Sequence, residues 1–447
     1  MNLLGIAWRN IRQRWLTSLL TALSLALGVA LVVATLVTGG LVKQAFESGA
    51  GLGYNMIVGA KGSPLQLVLN SVYFISKPIE NISWEFYQQF LPAAERADGS
   101  DGTFASSSKT AVPICMGDYF RGFRVIGTNA AFFNRITRGD GQPFAFSSGS
   151  NFRDDDFFAG VLGATVAAQL GLKAGDRFAP THGADDGKVH DPFTVAGVLA
   201  RTDTPVDRGV FVNMEGFYLQ DGHAKPVADG AAVAAPAVAP QPGAPVPLPA
   251  AQREVTAILL ETAAPPGLPG MPPLPAELTA MGLRTAINEG RDGQAAQPIA
   301  EIRQLLDLFV RPLELLLLLV TALVVLVSAM GILVSMVGSA LERSRDVAIM
   351  RALGARRSHV LATVLIEAML LAVGGGLVGW LLGHLLVGAI GPWISTNAGV
   401  SASVFSAVPL AEALLVPFLI LLAIAAALLP AIAAYRTDVS KWLQGPG

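Results

Sequence analysis

The sequence predicts an integral membrane protein with four transmembrane α-helices. A large α+β extracytoplasmic domain is inserted between the first and second. Three observations carry this reading. Four stretches hold almost no charge, arginines gather at one set of their ends, and the long middle segment has the polarity of an ordinary globular domain. Over the 447 residues the apolar fraction is 52% and the charged fraction 14%, with a mean hydropathy of +0.52. Soluble domains carry about a quarter charged residues, so the deficit points to lipid-buried sequence.

A helix crossing the hydrocarbon core needs about 20 mainly apolar residues. Residues 15–42 contain no charged side chain and follow Arg9, Arg12 and Arg14. The segment is longer than the apolar core of a cleaved signal peptide, and Leu41–Val42–Lys43–Gln44 offers no small-residue cleavage site, so it reads as a retained first span. The second span is expected over 311–341, its apolar part running from Leu315 to Leu341. The third covers 359–390, with Glu367 near one end and His384 inside, and the fourth covers 413–435. Pro417 and Pro430 fall near the ends of the fourth, where lost backbone bonds are easier to satisfy.

Arginine and lysine in the short flanks set the orientation. Arg9, Arg12 and Arg14 precede span one. Arg343, Arg345, Arg351, Arg356 and Arg357 lie between spans two and three, and Arg436 and Lys441 follow span four. The connection 391–412 has neither residue. The N-terminal segment 1–14, the loop 342–358 and the tail 436–447 are therefore expected in the cytoplasm, and 43–310 outside it. The net charge of −2 excludes a broad basic surface and argues against nucleic acid as a partner. One cysteine, Cys115, permits neither an intrachain disulfide nor a cysteine-rich metal site.

Within the translocated segment, strands are expected at Asn55–Val58, Ala111–Met116, Phe123–Ile126, Phe193–Leu199, Gly209–Val212 and Val255–Leu260. Gly117–Asp118 reads as the turn of a hairpin, and Gly163–Leu172 as a short helix. Residues 224–252 form an Ala/Pro-rich linker-like stretch, and 265–275 share its character. Two lobes are expected, with no internal repeat. The turn and amphipathic run Gly59–Ser71 reads as packing the domain, against contact with a lipid-like substrate. No Ser/His/Asp or Cys/His arrangement points to an enzyme.

Between spans two and three, Val347, Met350 and Leu353 recur at three-residue spacing and give one apolar stripe. Arg345, Asp346 and Arg351 flank it, and Gly354 is placed to end the helix. Such a helix either lies in the headgroup layer or docks its stripe into a groove on a cytoplasmic motor subunit. The string Arg345–Asp346–Val347–Ala348–Ile349–Met350–Arg351–Ala352–Leu353–Gly354–Ala355 resembles the signature of the MacB/FtsX-type permease family. Trp8–Arg9–Asn10–Ile11–Arg12 is similar to that family's opening, and Thr204–Pro205–Val206–Asp207–Arg208 to a segment of one branch. Asp346 stands where Glu is commoner, and Val347–Ala348 where Ile-Gly is. The layout of one span, a large domain and three further spans also matches.

The resemblance implies the permease subunit of an ABC transporter in the bacterial inner membrane. It would be a homodimer on two copies of a cytoplasmic ABC ATPase, which binds ATP and Mg, and would transmit ATP-driven motion to its periplasmic domain. Partners would include membrane lipid and a periplasmic adaptor or carrier. The alternative in the same family is a non-transporting regulator acting on a periplasmic partner such as a cell-wall hydrolase. The pattern G-x-x-x-x-G-K-[ST] is absent, so ATP hydrolysis is expected in a partner chain.

Two further groups merit attention. Gly375, Gly379 and Gly383 have the small-xxx-small spacing of close helix packing, within the subunit or across a dimer. Glu367 reads as an interfacial carboxylate beside Arg356 or Arg357, and His384 as a helix-contact hydrogen bond. His182, Asp185, Asp186 and His190 lie close in sequence, with Asp191 adjacent and His223 further on. Imidazoles and carboxylates are the ligands of zinc and other borderline divalent ions. A turn through Asp185–Asp186–Gly187 would set His182 opposite His190; the competing reading is a solvated polar turn.

Overall fold

The structure, a computed structural model, describes residues 2–50, 52–183, 187–226, 245–264, 275–342, 355–398 and 409–435. It comprises two compact units: Met1–Lys43, Leu308–Trp393 and Ala402–Gly447 in one, Gln44–Asp307 with Ile394–Ser401 in the other.

The first unit is helical. After a short helix Leu3–Gln13, capped by the Asn2 side chain, come Trp15–Ala50, Arg311–Glu342, Arg357–Ala398 and Pro409–Tyr435. Among the described residues, three helical runs are long and apolar enough to cross a membrane: Trp15–Glu47, Pro298–Gly338 and Arg357–Gly391. In the fourth helix the described apolar stretch is Pro417–Leu428. The first helix continues past residue 42 and the third past residue 390, because backbone hydrogen bonding carries a helix on beyond the lipid-facing part of its sequence. The second run likewise begins upstream of residue 311, at Pro298, through a π-helical turn at Leu306–Val310.

On the first helix, Leu25, Val29, Val33, Val37 and Leu41 form a buried stripe at four-residue spacing, packed with Ala329, Ile332, Ala372 and Ala423 from the other three. Outward-facing Leu316, Leu319, Leu323, Val327 and Val334 are all more than half exposed, as lipid-facing side chains are. Hydrocarbon offers no hydrophobic drive between helices, so association rests on close approach and interhelical hydrogen bonds. Both are present. Ser24 and Ser328 hydroxyls lie 3.0 Å apart. The Gly375/Gly379/Gly383 face meets the Ala22/Ala26/Ala30 stripe of the first helix, within the subunit. A Cβ at Gly379 would stand 2.4 Å from the Ala26 carbonyl oxygen, and one at Gly383 2.7 Å from Val33 Cβ.

The second unit is built on strands β1 (Met56–Gly59), β2 (Ile82–Ser83), β3 (Ser108–Phe120), β4 (Phe123–Thr128), β5 (Phe146–Gly149), β6 (Ala159–Leu162), β7 (Arg177–Phe178), β8 (Thr181–His182), β9 (Phe193–Leu199), β10 (Val210–Asn213), β11 (Glu254–Val255), β12 (Ala257–Thr262) and β13 (Gln294–Ala296). An eleven-stranded mixed sheet has the order β13–β1–β12–β3–β4–β10–β6–β9–β5, with β7 beside β9 and β8 beside β3. The strands β2 and β11 form a separate pair.

Period-two alternation builds two cores, one on each face of the sheet. Met56, Val58, Ile258, Leu260, Val210 and Val212 enter one; Ile57, Leu259 and Phe211 enter the other. Phe132, Phe133 and Phe144 join Phe211 in the second, at ring-centroid distances of 4.8–5.9 Å. Burial of each such ring stabilises the fold by about 1.5–3 kcal/mol. Ser63 caps the helix Pro64–Ser71, which packs Leu67 and Val68 into this core.

Two expectations change. The two lobes share one sheet, because β12, beyond the Ala/Pro-rich stretch, pairs with β1 and β3 from before it. And the hairpin does not turn at Gly117–Asp118: β3 runs on to Phe120, and the turn is Arg121–Gly122, both at positive φ (47° and 83°), the two-residue conformation that suits strand twist. Gly117–Asp118 is instead a bulge, where three steps from Met116 to Tyr119 oppose two from Ile126 to Arg124.

The glycine face yields a test. Gly379→Val should lower thermal stability of the detergent-purified protein by about 1–3 kcal/mol through overpacking against backbone. Gly331→Ala, where a Cβ meets nothing within 4 Å, should leave it unchanged.

Candidate functional site

The bulge in β3 shapes the most unusual polar cluster among the described residues. Asp118, in the extra-residue segment, pairs in register with His182 of β8. Its side chain is 1% exposed. The chain leaves β8 through Gly183, whose N–H donates to the Gly117 carbonyl at 3.1 Å, and returns by an isolated bridge from Val189 to Thr181. His190 follows, its N–H donating to Pro180 O at 2.9 Å, while Asp191 N–H donates to Gln220 Oε1 at 2.8 Å. The fourth member, His223, comes from beyond the helix Met214–Tyr218, after a turn at Gly222 (φ 88°).

These four side chains place one ligand atom each within 4.8 Å of one another. His182 Nδ1 and His223 Nε2 lie 3.5 and 3.2 Å from Asp118 Oδ1, and His190 Nε2 lies 3.3 Å from Oδ2. His182 Nδ1 and His223 Nε2 are 3.2 Å apart. His190 and His223 are buried with Asp118, whereas the His182 side chain is 48% exposed and forms the rim.

His223 Nδ1 is 2.8 Å from the Phe217 carbonyl, which accepts only a proton-bearing nitrogen, so a neutral His223 turns the Nε2 lone pair on the Asp118 carboxylate. Asp118 Oδ2 and His190 Nε2, buried and facing each other, have no hydrogen-bond partner. Burial pushes the His190 imidazole below the ordinary histidine value; the Asp118 charge opposes this, and His223 and His182 reinforce it. The cluster is a set of three imidazole nitrogens converging on one buried carboxylate.

Of the residues singled out from the sequence, the structure brings His182 and His190 together. Asp185 and Asp186 lie outside the described residues, and Asp191 is exposed. Asp118 and His223 were not in the candidate set. Asp118 was hidden in an expected turn, and its one local signal was the Gly-Asp step inside a strand-like run. Arg345, Asp346, Val347, Met350, Arg351, Leu353 and Gly354 all lie outside the described residues. In the helical unit, Glu367 is 5% exposed and accepts from Asn10 Nδ2 at 3.4 Å, and His384 packs edge-on against Trp380 at 4.6 Å. Asp207, in the segment after β9, is buried and accepts from the Thr202 N–H and hydroxyl and the Asp203 N–H, closing that loop. Burial raises its carboxyl above the usual range, and these donors hold it back.

The family model of the MacB-like periplasmic core domain matches residues 18–258, and that of the FtsX-like permease C-terminal region matches residues 318–439. No curated protein matches the chain.

Cys115 takes no part in the cluster. It is 3% exposed, with Sγ 3.2 Å from the Tyr218 hydroxyl, and burial pushes its thiol up to about 12. The native protein should therefore resist maleimide at pH 8 and react with one equivalent only after denaturation.

Proposed function

The chain belongs to the MacB/FtsX-type family of ABC transporter permeases, a membrane-protein family whose members typically work with a cytoplasmic ABC ATPase, and from that premise we propose how it works. It is the transmembrane subunit that converts ATP turnover in two separate ATPase subunits into movement of its α+β domain, for export or extraction of a periplasmic or membrane substrate. Four spans place both termini in the cytoplasm of a bacterial cell, and two copies of the chain stand on two copies of the ATPase. The observation that carries the reading is that one family match covers the first long apolar helix and most of the domain, residues 18–258, and the other covers the last three helices, residues 318–439. A non-transporting regulator is compatible with the same family matches, and no observation favours it over transport.

In this mechanism the stripe of Val347, Met350 and Leu353 buries itself in the ATPase, with Arg345 and Arg351 pairing acidic groups at the rim. Closure of the ATPase pair on ATP then pushes on the cytoplasmic ends of the second and third spans. The third span passes the push to the first because the close glycine packing between them leaves little room for sliding.

Two measurements test it. Since Cys115 is buried, introduced cysteines report topology cleanly: an impermeant maleimide on intact cells should label Lys61→Cys and spare Arg351→Cys. Labelling of Arg351→Cys rejects the orientation. Burial of the Met350 side chain is worth about 1.5–3 kcal/mol, and a carboxylate there adds an unpaired charge. Met350→Asp should therefore insert normally yet lose the co-purified ATPase and transport, with Arg351→Ala milder. A wild-type amount of ATPase on Met350→Asp would mean that the helix lies on lipid instead.

A further inference from the structure

We propose that Asp118, His182, His190 and His223 form a zinc site in the extracytoplasmic domain. The argument starts from unsatisfied atoms. A buried carboxylate oxygen and a buried imidazole nitrogen, 3.3 Å apart and without hydrogen-bond partners, are costly as they stand. With Nδ1 engaged by Phe217 O, His223 Nε2 is directed at Asp118 Oδ1 at 3.2 Å, and in the neutral ring that nitrogen offers only a lone pair. One cation held among these atoms would engage the carboxylate and the imidazole nitrogens together, and the Phe217 carbonyl would then act as the outer partner that fixes a ligating imidazole's tautomer.

The donor set and spacing select the ion. Three imidazoles and one carboxylate suit a borderline divalent cation, and exclude calcium or magnesium, which take oxygen. Zinc bonds to histidine nitrogen and carboxylate oxygen at about 2.0–2.1 Å, which makes the edge of a tetrahedral site about 3.3–3.4 Å. The separations among Asp118 Oδ1, His182 Nδ1 and His223 Nε2, at 3.2, 3.2 and 3.5 Å, lie near that edge; His190 Nε2 stands 3.3 Å from the other carboxylate oxygen, Oδ2, and all four ligand atoms lie within 4.8 Å of one another. Four protein ligands leave no open position for substrate water, so the site is of the closed, structural kind. It ties the bulged end of β3 to β8, to the loop before β9 and to the segment after the helix Met214–Tyr218, none of which reaches the others through a long ladder. The role is a staple: bound zinc stabilises this corner of the domain by binding the folded state alone.

The test uses the detergent-purified full-length chain, stripped with chelator and titrated with Zn(II) alone. One zinc per chain should bind, and thermal stability should fall on stripping and return on reloading. Substitution with Co(II) should give the intense visible bands of a four-coordinate ion. Half-exposed His182→Ala and, separately, His223→Ala should each weaken zinc binding at least tenfold and abolish the Co(II) bands, while exposed Asp191→Asn leaves both unchanged. Asp118→Asn should behave like the histidine variants; should it fail to fold, the His182→Ala result stands by itself because that side chain lies at the rim. No stoichiometric zinc in the wild type, a pale six-coordinate Co(II) spectrum, or unchanged affinity in His182→Ala overturns the site and leaves an imidazolium–carboxylate cluster. Stoichiometric binding without any change in thermal stability overturns the staple. None of these readouts depends on the ATPase, so failure here is separable from failure of the transport reading.

Discussion

Backbone amides in hydrocarbon have no water to bond to, and each unpaired group there costs several kcal/mol, so the chain crosses lipid only as uninterrupted helix. That constraint governs the helical unit down to its side chains. Once the backbone is satisfied within each helix, nothing apolar is gained by bringing two helices together, since lipid is as apolar as leucine. What remains is contact at short range. Gly375, Gly379 and Gly383 remove the side chains that would hold the third helix off the first, and Ala22, Ala26 and Ala30 do the same from the opposite side. Ser24 and Ser328 add a hydrogen bond between the first and second.

In the water-exposed unit the same backbone requirement is met across strands, and a single irregularity there has the largest chemical consequence. A regular β3 would have continued its alternation through Gly117 and Asp118 and paired every residue with β4. The extra residue breaks the alternation and leaves Asp118 to pair with β8, beside His182. Around it the strand, the β8 return and the turn at Gly222 converge, and a buried carboxylate gathers three imidazoles. Polar groups in a low-dielectric setting are held there only when something compensates them. Here one oxygen of Asp118 and the facing His190 Nε2 have no hydrogen-bond partner, whereas Asp207, as buried, accepts from three donors.

Hydropathy and the spread of arginine exposed the long apolar helices and the inserted domain directly, because lipid acts on composition over whole segments. Strand-like runs such as Phe193–Leu199 and Phe123–Ile126 were also legible, since a sheet with cores on both faces needs continuous apolar stretches. The hairpin was misplaced for an instructive reason. Gly-Asp is ordinary turn chemistry, and Arg121–Gly122 beside it is only slightly better; the choice was made by pairing with Phe123–Thr128 and β8, which local sequence does not register.

The sequence by itself determined the membrane-embedded helices, the large α+β insertion between them and the family resemblance, because these follow from composition, period and short contiguous motifs. It also marked His182 and His190, which are near each other along the chain. Only the tertiary structure decided which residues complete that group. Asp118 lies before β4 and His223 beyond β10, and what joins them is a sheet register, one bulged residue and a left-handed glycine turn. Contacts of that kind depend on pairing between distant segments, and the energy that selects them is spread over the two cores flanking the sheet, which the residues around Asp118 and His223 register little.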